Sequence, residues 1–308
     1  MSIIVDEHTR VVVQGIGTQG TFHARRNQLY GTAVVAGVHP RRGGDTWKEL
    51  DLPVFATAEE AVDRTDANTS MIMVPAPFTK DAILEAFHAG IRTIVTITEG
   101  VPVHDMTVVY DQVVRLGGAR LIGPNCPGVI SPGRCNVGII PANIAGPGHV
   151  GLVSRSGTLT YQIMDELASG GLGISTCVGI GGDPVVGSDF LDVVRLFAED
   201  PATRAIVLVG EIGGTDEQEA GGWIAEHIPD TPVVAYVAGF QAPPGKRMGH
   251  AGAIVREGTG GGETAVEKQQ ALEAFGIAVA TNPSEAARLM IERLSTPPRS
   301  SGGVAPGG

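Results

Sequence analysis

Short runs of aliphatic and β-branched residues alternate with longer amphipathic segments along the first half of the chain. The apolar runs cover residues 11–15, 32–38, 70–76 and 93–100. Runs of this length that are apolar on both faces are typical of buried parallel strands. Helix-like segments lie between them, including residues 57–64 and 80–89. The alternation predicts βαβ units in a doubly wound α/β sheet.

The same alternation begins again in the second half. Strand-like runs cover residues 149–157, 174–182, 205–214 and 232–239, and helix-like segments cover residues 159–168, 190–198, 217–226 and 264–275. This pattern predicts a second open α/β sheet. Ligands of such sheets bind beyond the carboxyl ends of the strands, so the glycine-rich strand ends are candidate sites.

A segment rich in proline and glycine, residues 131–148, separates the two halves. We place the domain boundary there, which predicts one domain over residues 1–147 and another over residues 148–295. The final residues, 296–308, have no apolar periodicity and are expected to form a disordered tail.

Composition narrows the functional classes. The net charge of −11 argues against nucleic acid or an anionic membrane as a general partner. The three cysteines are widely spaced, which fits a reducing compartment and predicts neither a disulfide framework nor a metal site. No apolar run reaches about 18 residues, and an acidic start is wrong for a signal peptide, so we expect a cytoplasmic protein.

Two glycine-rich loops follow predicted strands. The loop GIGTQG, residues 15–20, could set backbone amides and a helix N-terminus against a pyrophosphate. The second strand is followed by Arg41 and Arg42, where a nicotinamide site usually has an acid. Arginines there suit an extra ribose phosphate, as in NADP or coenzyme A, although a solvated pair is the alternative.

The loop SRSGTLTY, residues 154–161, also opens a predicted helix. Ser156 is a natural N-cap, and the free amides that follow it can bind an anion. A third loop, GIGGDP at residues 179–184, is equally compatible with a simple turn.

Glu211 and His250 are the candidate catalytic pair. Glu211 ends a predicted strand and precedes two glycines, and His250 lies between glycines in KRMGHAGA. A carboxylate that binds one imidazole nitrogen leaves the other free as a nucleophile. The alternatives are a capping carboxylate and a loop histidine that bonds to the backbone.

Five segments together closely resemble the alpha subunit of succinyl-CoA synthetase. They are residues 123–133, 151–162, 179–190, 211–214 and 246–254, and the similarity extends from Ser2 to about Met290. The resemblance implies a coenzyme-A-binding Rossmann domain followed by a flavodoxin-like ligase domain. It also implies an ATP-grasp beta subunit that holds magnesium and ATP or GTP, in an αβ or α2β2 assembly, while this chain holds no metal.

The resemblance also implies roles for individual residues. His250 would be phosphorylated and Glu211 would orient it. Residues near the phosphoryl group and the dicarboxylate substrate would be Ser156, Gly157, Thr158, Asn125 and Tyr161. The coenzyme A site would be lined by Gly17, Thr18, Gln19, Arg42, Pro75, Ile97, Thr98 and Glu99.

Three segments depart from the family pattern. GIGTQG is one residue shorter than the usual GxTGxQG, the usual PGKGG reads PRRGG at residues 40–44, and REGTGGGETAVEK after His250 is about two residues longer. None of the departures removes a catalytic group. The open alternatives are a ligase for malate or another dicarboxylate, a non-catalytic coenzyme-A-binding protein, and an NADP oxidoreductase.

Overall fold

The computed structural model describes residues 2–242, 248–255 and 262–295. The first seven strands are β1 (Arg10–Gln14), β2 (Ala33–Val38), β3 (Thr46–Trp47), β4 (Leu52–Phe55), β5 (Thr69–Ile72), β6 (Thr93–Thr96) and β7 (Arg120–Ile122). The helices among them are α1 (Thr18–Tyr30), α2 (Ala58–Thr65), α3 (Thr79–His88) and α4 (Val103–Val109), and a π-helical segment, Tyr110–Arg115, continues α4.

These strands form one sheet in the order β3-β4-β2-β1-β5-β6-β7. Neighbouring strands are parallel except for the edge pair β3 and β4. The valines of β1 are fully buried, as the apolar run predicts for a central strand. The four strands and two helices predicted for this half are confirmed, with ends that differ by a few residues.

The remaining strands are β8 (Gly128–Ser131), β9 (Cys135–Gly138), β10 (Pro147–Ser154), β11 (Ile174–Gly179), β12 (Ala205–Glu211), β13 (Val233–Ala238) and β14 (Ala278–Ala280). The helices are α5 (Gly157–Ser169), α6 (Phe190–Glu199), α7 (Asp216–His227), α8 (Ala265–Ala274) and α9 (Pro283–Ser295). The second sheet has the order β14-β13-β12-β10-β11-β8-β9. Its predicted strands and helices are confirmed, and the protein is α/β with two mixed sheets.

The proline- and glycine-rich segment in which we place the domain boundary, residues 131–148, contains part of a β-hairpin. β8 and β9 pair with each other, and β8 continues the second sheet by antiparallel pairing with β11. Gly128 and Gly138 face each other across the hairpin so closely that a Cβ on either would lie about 2.8 Å from the Cα of the other. Sheet membership therefore changes between Ile122 and Gly128, earlier than the boundary chosen from composition. The division at residues 147 and 148 stays a prediction.

The hairpin also joins the second sheet to the first. The Thr32 hydroxyl donates to the carbonyl of Asn136 and accepts from its N–H, both at 2.9 Å. Asn27 of α1 donates to the carbonyl of Gly138 at 3.1 Å. All of these groups are buried, so the hydrogen bonds satisfy hairpin backbone that no further strand covers.

Three predictions fall on residues that the structure does not describe. They concern the tail from residue 296, the longer segment after His250, and the beginning of KRMGHAGA. Among the described helices, none is both long enough and apolar enough to cross a membrane.

We expect Thr32→Val to destabilise the chain, because valine has nearly the same shape and supplies neither the donor nor the acceptor that Asn136 needs. Each buried backbone group left unpaired costs about 1–3 kcal/mol. Urea unfolding of the purified chain measures the loss. Thr107→Val is the control, since the exposed Thr107 hydroxyl only donates to carbonyls of its own helix. Equal stability of the two variants would contradict this account of the hairpin.

Candidate active site

The carboxyl ends of three parallel strands meet at one edge of the second sheet. β10 pairs with β11 on one side and with β12 on the other, and Ser154 lies in register with Gly179 and Val209. The strand order reverses at β10, which creates a crevice at this edge. The loops that follow these strands are the glycine-rich segments chosen from the sequence.

His250 and Glu211 are in direct contact in this crevice. His250 Nδ1 lies 2.7 Å from Glu211 Oε2, and the two side chains are 27% and 9% exposed. An ionised carboxylate only accepts hydrogen bonds, so Nδ1 is the donor and Nε2 is the ring nitrogen left for other chemistry.

A glycine turn after β11 makes room for the imidazole. A Cβ on Gly182 would lie 2.2 Å from His250 Nδ1, so any larger residue would push the ring away. The N–H of Gly252 donates to the carbonyl of Gly182 at 3.0 Å and ties the two loops together. The GIGGDP segment therefore supports the histidine, in addition to forming a turn.

Three carboxylates act on the imidazole. The hydrogen bond that His250 donates to Glu211 is the main cause that raises the pKa of His250 above its ordinary value, and it outweighs partial burial, which lowers that pKa. The negative charges of Glu211, Asp183 and Glu99 raise it further. The site thus favours a positive charge on this ring.

Asp183 is a member of the site that the sequence did not predict, because GIGGDP is equally compatible with a simple turn. It is 6% exposed, and burial raises the pKa of its carboxyl group. Asn125 Nδ2 donates to Asp183 Oδ1 at 2.9 Å, and the Asn125 N–H donates to the carbonyl of Thr98 at 2.9 Å. Asn125, in the left-handed region at φ 53°, therefore connects the loop after β6 with the loop after β11.

The N-terminus of α5 lies at the same edge. Ser156 Oγ accepts from the N–H of Leu159 at 3.4 Å, which confirms Ser156 as the N-cap of α5. The Ser156 N–H donates to Ser154 Oγ at 3.1 Å, whereas the first-turn amides of Gly157 and Thr158 have no partner within the helix. Of the three predicted anion-binding amides, those of Gly157 and Thr158 are therefore free for an anion, whereas that of Ser156 is already bonded. Tyr161 lies one turn further on, and burial raises the pKa of its phenol.

A cavity of about 1010 Å³ opens at the corresponding edge of the first sheet, where the strand order reverses between β1 and β5. Of the predicted cofactor residues, Gly17, Thr18, Gln19 and Pro75 line it. Arg41 also lines the cavity, while Arg42 pairs with Asp45 at 3.2 Å. Ile97, Thr98 and Glu99 follow β6 outside this lining, and Thr98 Oγ1 donates to the carbonyl of Val74 at 2.7 Å.

Two positions of GIGTQG must be glycine, because neighbouring backbone lies too close for a side chain. Gly15 has φ +107°, and a Cβ there would lie 2.6 Å from the backbone of Met73. A Cβ on Gly20 would lie 1.8 Å from the carbonyl oxygen of Gly15. The tight turn brings the N-terminus of α1 to the cavity, where its amides can bind phosphate. Within the described residues, no group of three or more His, Cys, Asp or Glu side chains could hold a metal ion.

Comparison with known proteins gives consistent matches over most of the chain. Residues 6–100 match the family model of the CoA binding domain, and residues 153–278 match that of CoA-ligase. The ADP-forming succinate–CoA ligase subunit alpha 2 of Archaeoglobus fulgidus is 57% identical over 295 residues, which are 96% of this chain and 100% of that protein. The corresponding alpha subunit of Aquifex aeolicus is 54% identical over 288 residues, which are 92% of each chain.

A solved structure with a similar fold is the ATP citrate lyase of Methanosaeta concilii in complex with (3S)-citryl-CoA. It is 27% identical, with a TM-score of 0.83 over 94% of this chain. The chain spans about half the length of that lyase, 50%.

We expect Glu211→Gln to lower the pKa of His250, because the substitution removes the charge that stabilises the imidazolium. NMR titration of the histidine ring should give a wild-type midpoint above 6.5 and a lower midpoint in the variant. Glu199→Gln, an exposed change at the end of α6, should leave the midpoint unchanged. A wild-type midpoint below 6.5, or equal midpoints in wild type and Glu211→Gln, would contradict the contact.

Proposed function

The chain belongs to the succinate–CoA ligase alpha-subunit family, and we propose that, with a beta subunit, it joins succinate to coenzyme A while a nucleoside triphosphate is converted to its diphosphate and phosphate. The observation that carries the mechanism is the 2.7 Å contact between His250 Nδ1 and Glu211 Oε2 at the edge of a parallel sheet. The overall reaction is reversible and gives succinyl-CoA, nucleoside diphosphate and phosphate.

His250 serves as the nucleophile. Glu211 holds Nδ1 as the donor, so Nε2 directs its lone pair into the crevice. Nε2 attacks the terminal phosphorus of the nucleotide, the P–O bond to the diphosphate breaks, and the diphosphate leaves. The ring then carries a positive charge, which the Glu211 carboxylate stabilises.

The amides of Gly157 and Thr158 receive the phosphoryl group. Two free N–H groups at the start of α5 favour an anion at this position, as does the helix dipole. The phosphoryl group passes from Nε2 to a carboxylate oxygen of succinate, which yields an acyl phosphate and regenerates the imidazole. Asn125 and Tyr161 are the residues we assign to binding this acid.

Coenzyme A, a substrate of this reaction, is assigned to the cavity of the first sheet. The tight glycine turn, the N-terminus of α1 and Arg41 fit its phosphates, and the cavity volume is large enough for a nucleotide-sized ligand. Thiol attack on the carbonyl carbon of the acyl phosphate forms the thioester and releases phosphate. Thr98 bonds to the carbonyl of Val74, which lines this cavity, and to the N–H of Asn125, so we assign Thr98 and the adjacent Glu99 to the path of the thiol.

The beta subunit supplies the remaining parts. We assign to it an ATP-grasp fold that binds magnesium and ATP or GTP, in an αβ or α2β2 assembly. We also assign the protein to the cytoplasm, where Cys126, Cys135 and Cys177 remain the free thiols that they are in the structure.

Malate or another dicarboxylate is the alternative acid substrate. The similar ATP citrate lyase fold, solved with a citryl thioester, shows that related chains act on other polycarboxylates. The steps at His250 are the same for any carboxylate, so the choice of acid leaves the mechanism unchanged. Initial rates with a panel of dicarboxylates distinguish these substrates. Retention of the His250 and Glu211 contact argues against a non-catalytic coenzyme-A-binding protein.

Phosphorylation of His250 is tested with nucleotide labelled on the terminal phosphate. We expect the complex with a beta subunit and magnesium to acquire label that is acid-labile and base-stable, and His250→Asn to abolish it. His149→Asn is the control, since His149 is an exposed histidine that bonds to the carbonyl of Ala202. Label retained in His250→Asn, or an unlabelled wild type, would disprove the histidine mechanism.

Coenzyme A binding is tested with a matched pair of glycine substitutions. Gly15 and Gly31 have nearly the same φ, +107° and +106°, but of these two only Gly15 lies against neighbouring backbone at the cavity. We expect Gly15→Ala to weaken coenzyme A binding at least about 10-fold by calorimetry, since a misplaced binding loop has effects of this order. Gly31→Ala should bind normally. Equal affinities in both variants, or a preference of wild type for NADP, would contradict the assignment.

A further inference from the structure

The position of the Glu211 carboxylate depends on the Glu211 backbone, because the carboxylate itself has few hydrogen bonds. Oε2 receives the hydrogen bond from His250, whereas Oε1 is buried and has no hydrogen-bond partner among the described residues. Glu211 is the last residue of β12, and the chain then turns sharply through Gly213 and Gly214, both with positive φ. The hydrogen bonds to β13 end directly after Glu211, with the N–H of Ile212 donating to the carbonyl of Ala238 at 3.2 Å.

A buried ion pair holds the backbone at this point. Lys268 of α8 is fully buried, and its ammonium donates to the carbonyls of Glu211 and Gly213, both at 2.8 Å. Its third donor goes to Oε2 of Glu217 on α7, which is itself 1% exposed. Glu217 Oε1 accepts from the N–H of Glu211 at 3.1 Å. The pair thus bonds to both backbone groups of Glu211.

Arg155 completes the charge arrangement around the pair. It follows Ser154 of β10, its guanidinium pairs with Asp216, and its Nε lies 3.9 Å from Glu217 Oε1. Glu217 thus faces both cations and Asp216 pairs with Arg155. Among the described side chains, His250 is the one that donates a hydrogen bond to the Glu211 carboxylate, whose charge also acts on Arg155.

Stability alone does not account for this arrangement. Removing two charges from water is costly, and an apolar pair of similar volume often serves the fold equally well. The buried ammonium uses its three donors on three acceptors, two of which belong to the turn that begins at Glu211. Because all three N–H groups of the Lys268 ammonium are hydrogen-bonded, the turn is held in one conformation. A shift of its backbone would leave a buried charge without hydrogen bonds.

We propose that Lys268 and Glu217 are positioning residues that fix the Glu211 backbone and thereby hold Glu211 against His250 during phosphoryl transfer. The inference rests on the proposed phosphorylation of His250 and deepens it. Neither residue touches the imidazole, so each acts through Glu211. Loss of the pair should leave the chemistry possible but slow.

The test compares a double variant with a control on the same helix. Lys268→Met with Glu217→Gln removes both charges, which leaves no unpaired buried ion, and retains an oxygen for the Glu211 N–H. Leu272→Ala, one turn further along α8, creates a cavity in the core without touching Glu211. Circular dichroism and thermal unfolding of the full chain show that both variants fold and how far each is destabilised.

Two readouts then separate positioning from general destabilisation. We expect the pKa of His250, measured by NMR, to fall in the double variant, since an unfixed Glu211 stabilises the imidazolium less while Asp183 and Glu99 still act. We expect phosphorylation of the complex with a beta subunit to slow by about 10- to 100-fold, the usual effect of removing a group that orients a reactive one. Leu272→Ala should keep both values.

Several outcomes would overturn the proposal. They are an unchanged His250 pKa in the double variant, unchanged phosphorylation, or equal changes in Leu272→Ala. If the double variant does not fold, Glu217→Gln alone is measured against the same control and is judged by the same criteria. If wild type is never phosphorylated, the proposed function fails, whereas the pKa comparison still decides whether the pair positions Glu211.

Discussion

A parallel sheet whose strand order reverses leaves a crevice at the carboxyl ends of two neighbouring strands, and both sites of this chain depend on that constraint. In the first sheet the reversal between β1 and β5 coincides with the large cavity and the tight glycine turn. In the second sheet the reversal at β10 coincides with the N-terminus of α5 and with Glu211. The chemistry at each site follows from which side chains the chain places at these strand ends.

The two crevices are connected by short polar contacts as well as by chain continuity. Asn125 bonds to the loop after β6 with its backbone and to Asp183 of the second sheet's loop with its side chain. The hairpin of β8 and β9 bonds to Thr32 and Asn27 on the first-sheet side. In the proposed reaction, the acyl phosphate beside His250 and the thiol from the first-sheet cavity would meet over this hydrogen-bonded region of the protein.

Much of the fold could be predicted because the sequences of buried parallel strands are continuous apolar runs. β1, β10 and β12 follow that rule, and each lies at the position that its apolar run predicts. The hairpin could not be predicted in the same way, because its glycines serve close backbone packing and resemble those of a linker in composition. Short edge strands such as β3 and β14 have too few residues to show a period.

The site was predictable to a similar extent. Glu211 and Ser156 were predicted because each stands at a glycine-rich strand end, and His250 because it lies between glycines in KRMGHAGA. The structure brings all three to the same edge of the second sheet. Arg41 rather than Arg42 lines the cavity, since adjacent residues in a loop point in different directions and composition cannot choose between them. The role of Lys268 could not be predicted, because a lysine on an amphipathic helix is normally exposed. Only the structure shows that its ammonium bonds to the backbone of Glu211 and Gly213.

The hairpin of β8 and β9 has a consequence for how the chain can be divided. These two strands lie before the boundary predicted at residues 147 and 148, yet they close one side of the second sheet, next to β11. A fragment cut at the compositional boundary would leave the hydrogen-bonding groups of β11 open to solvent along a buried, apolar strand. Bare edges of this kind can pair with strands of other molecules, so we expect a fragment of the second half to avoid association only when it includes the hairpin.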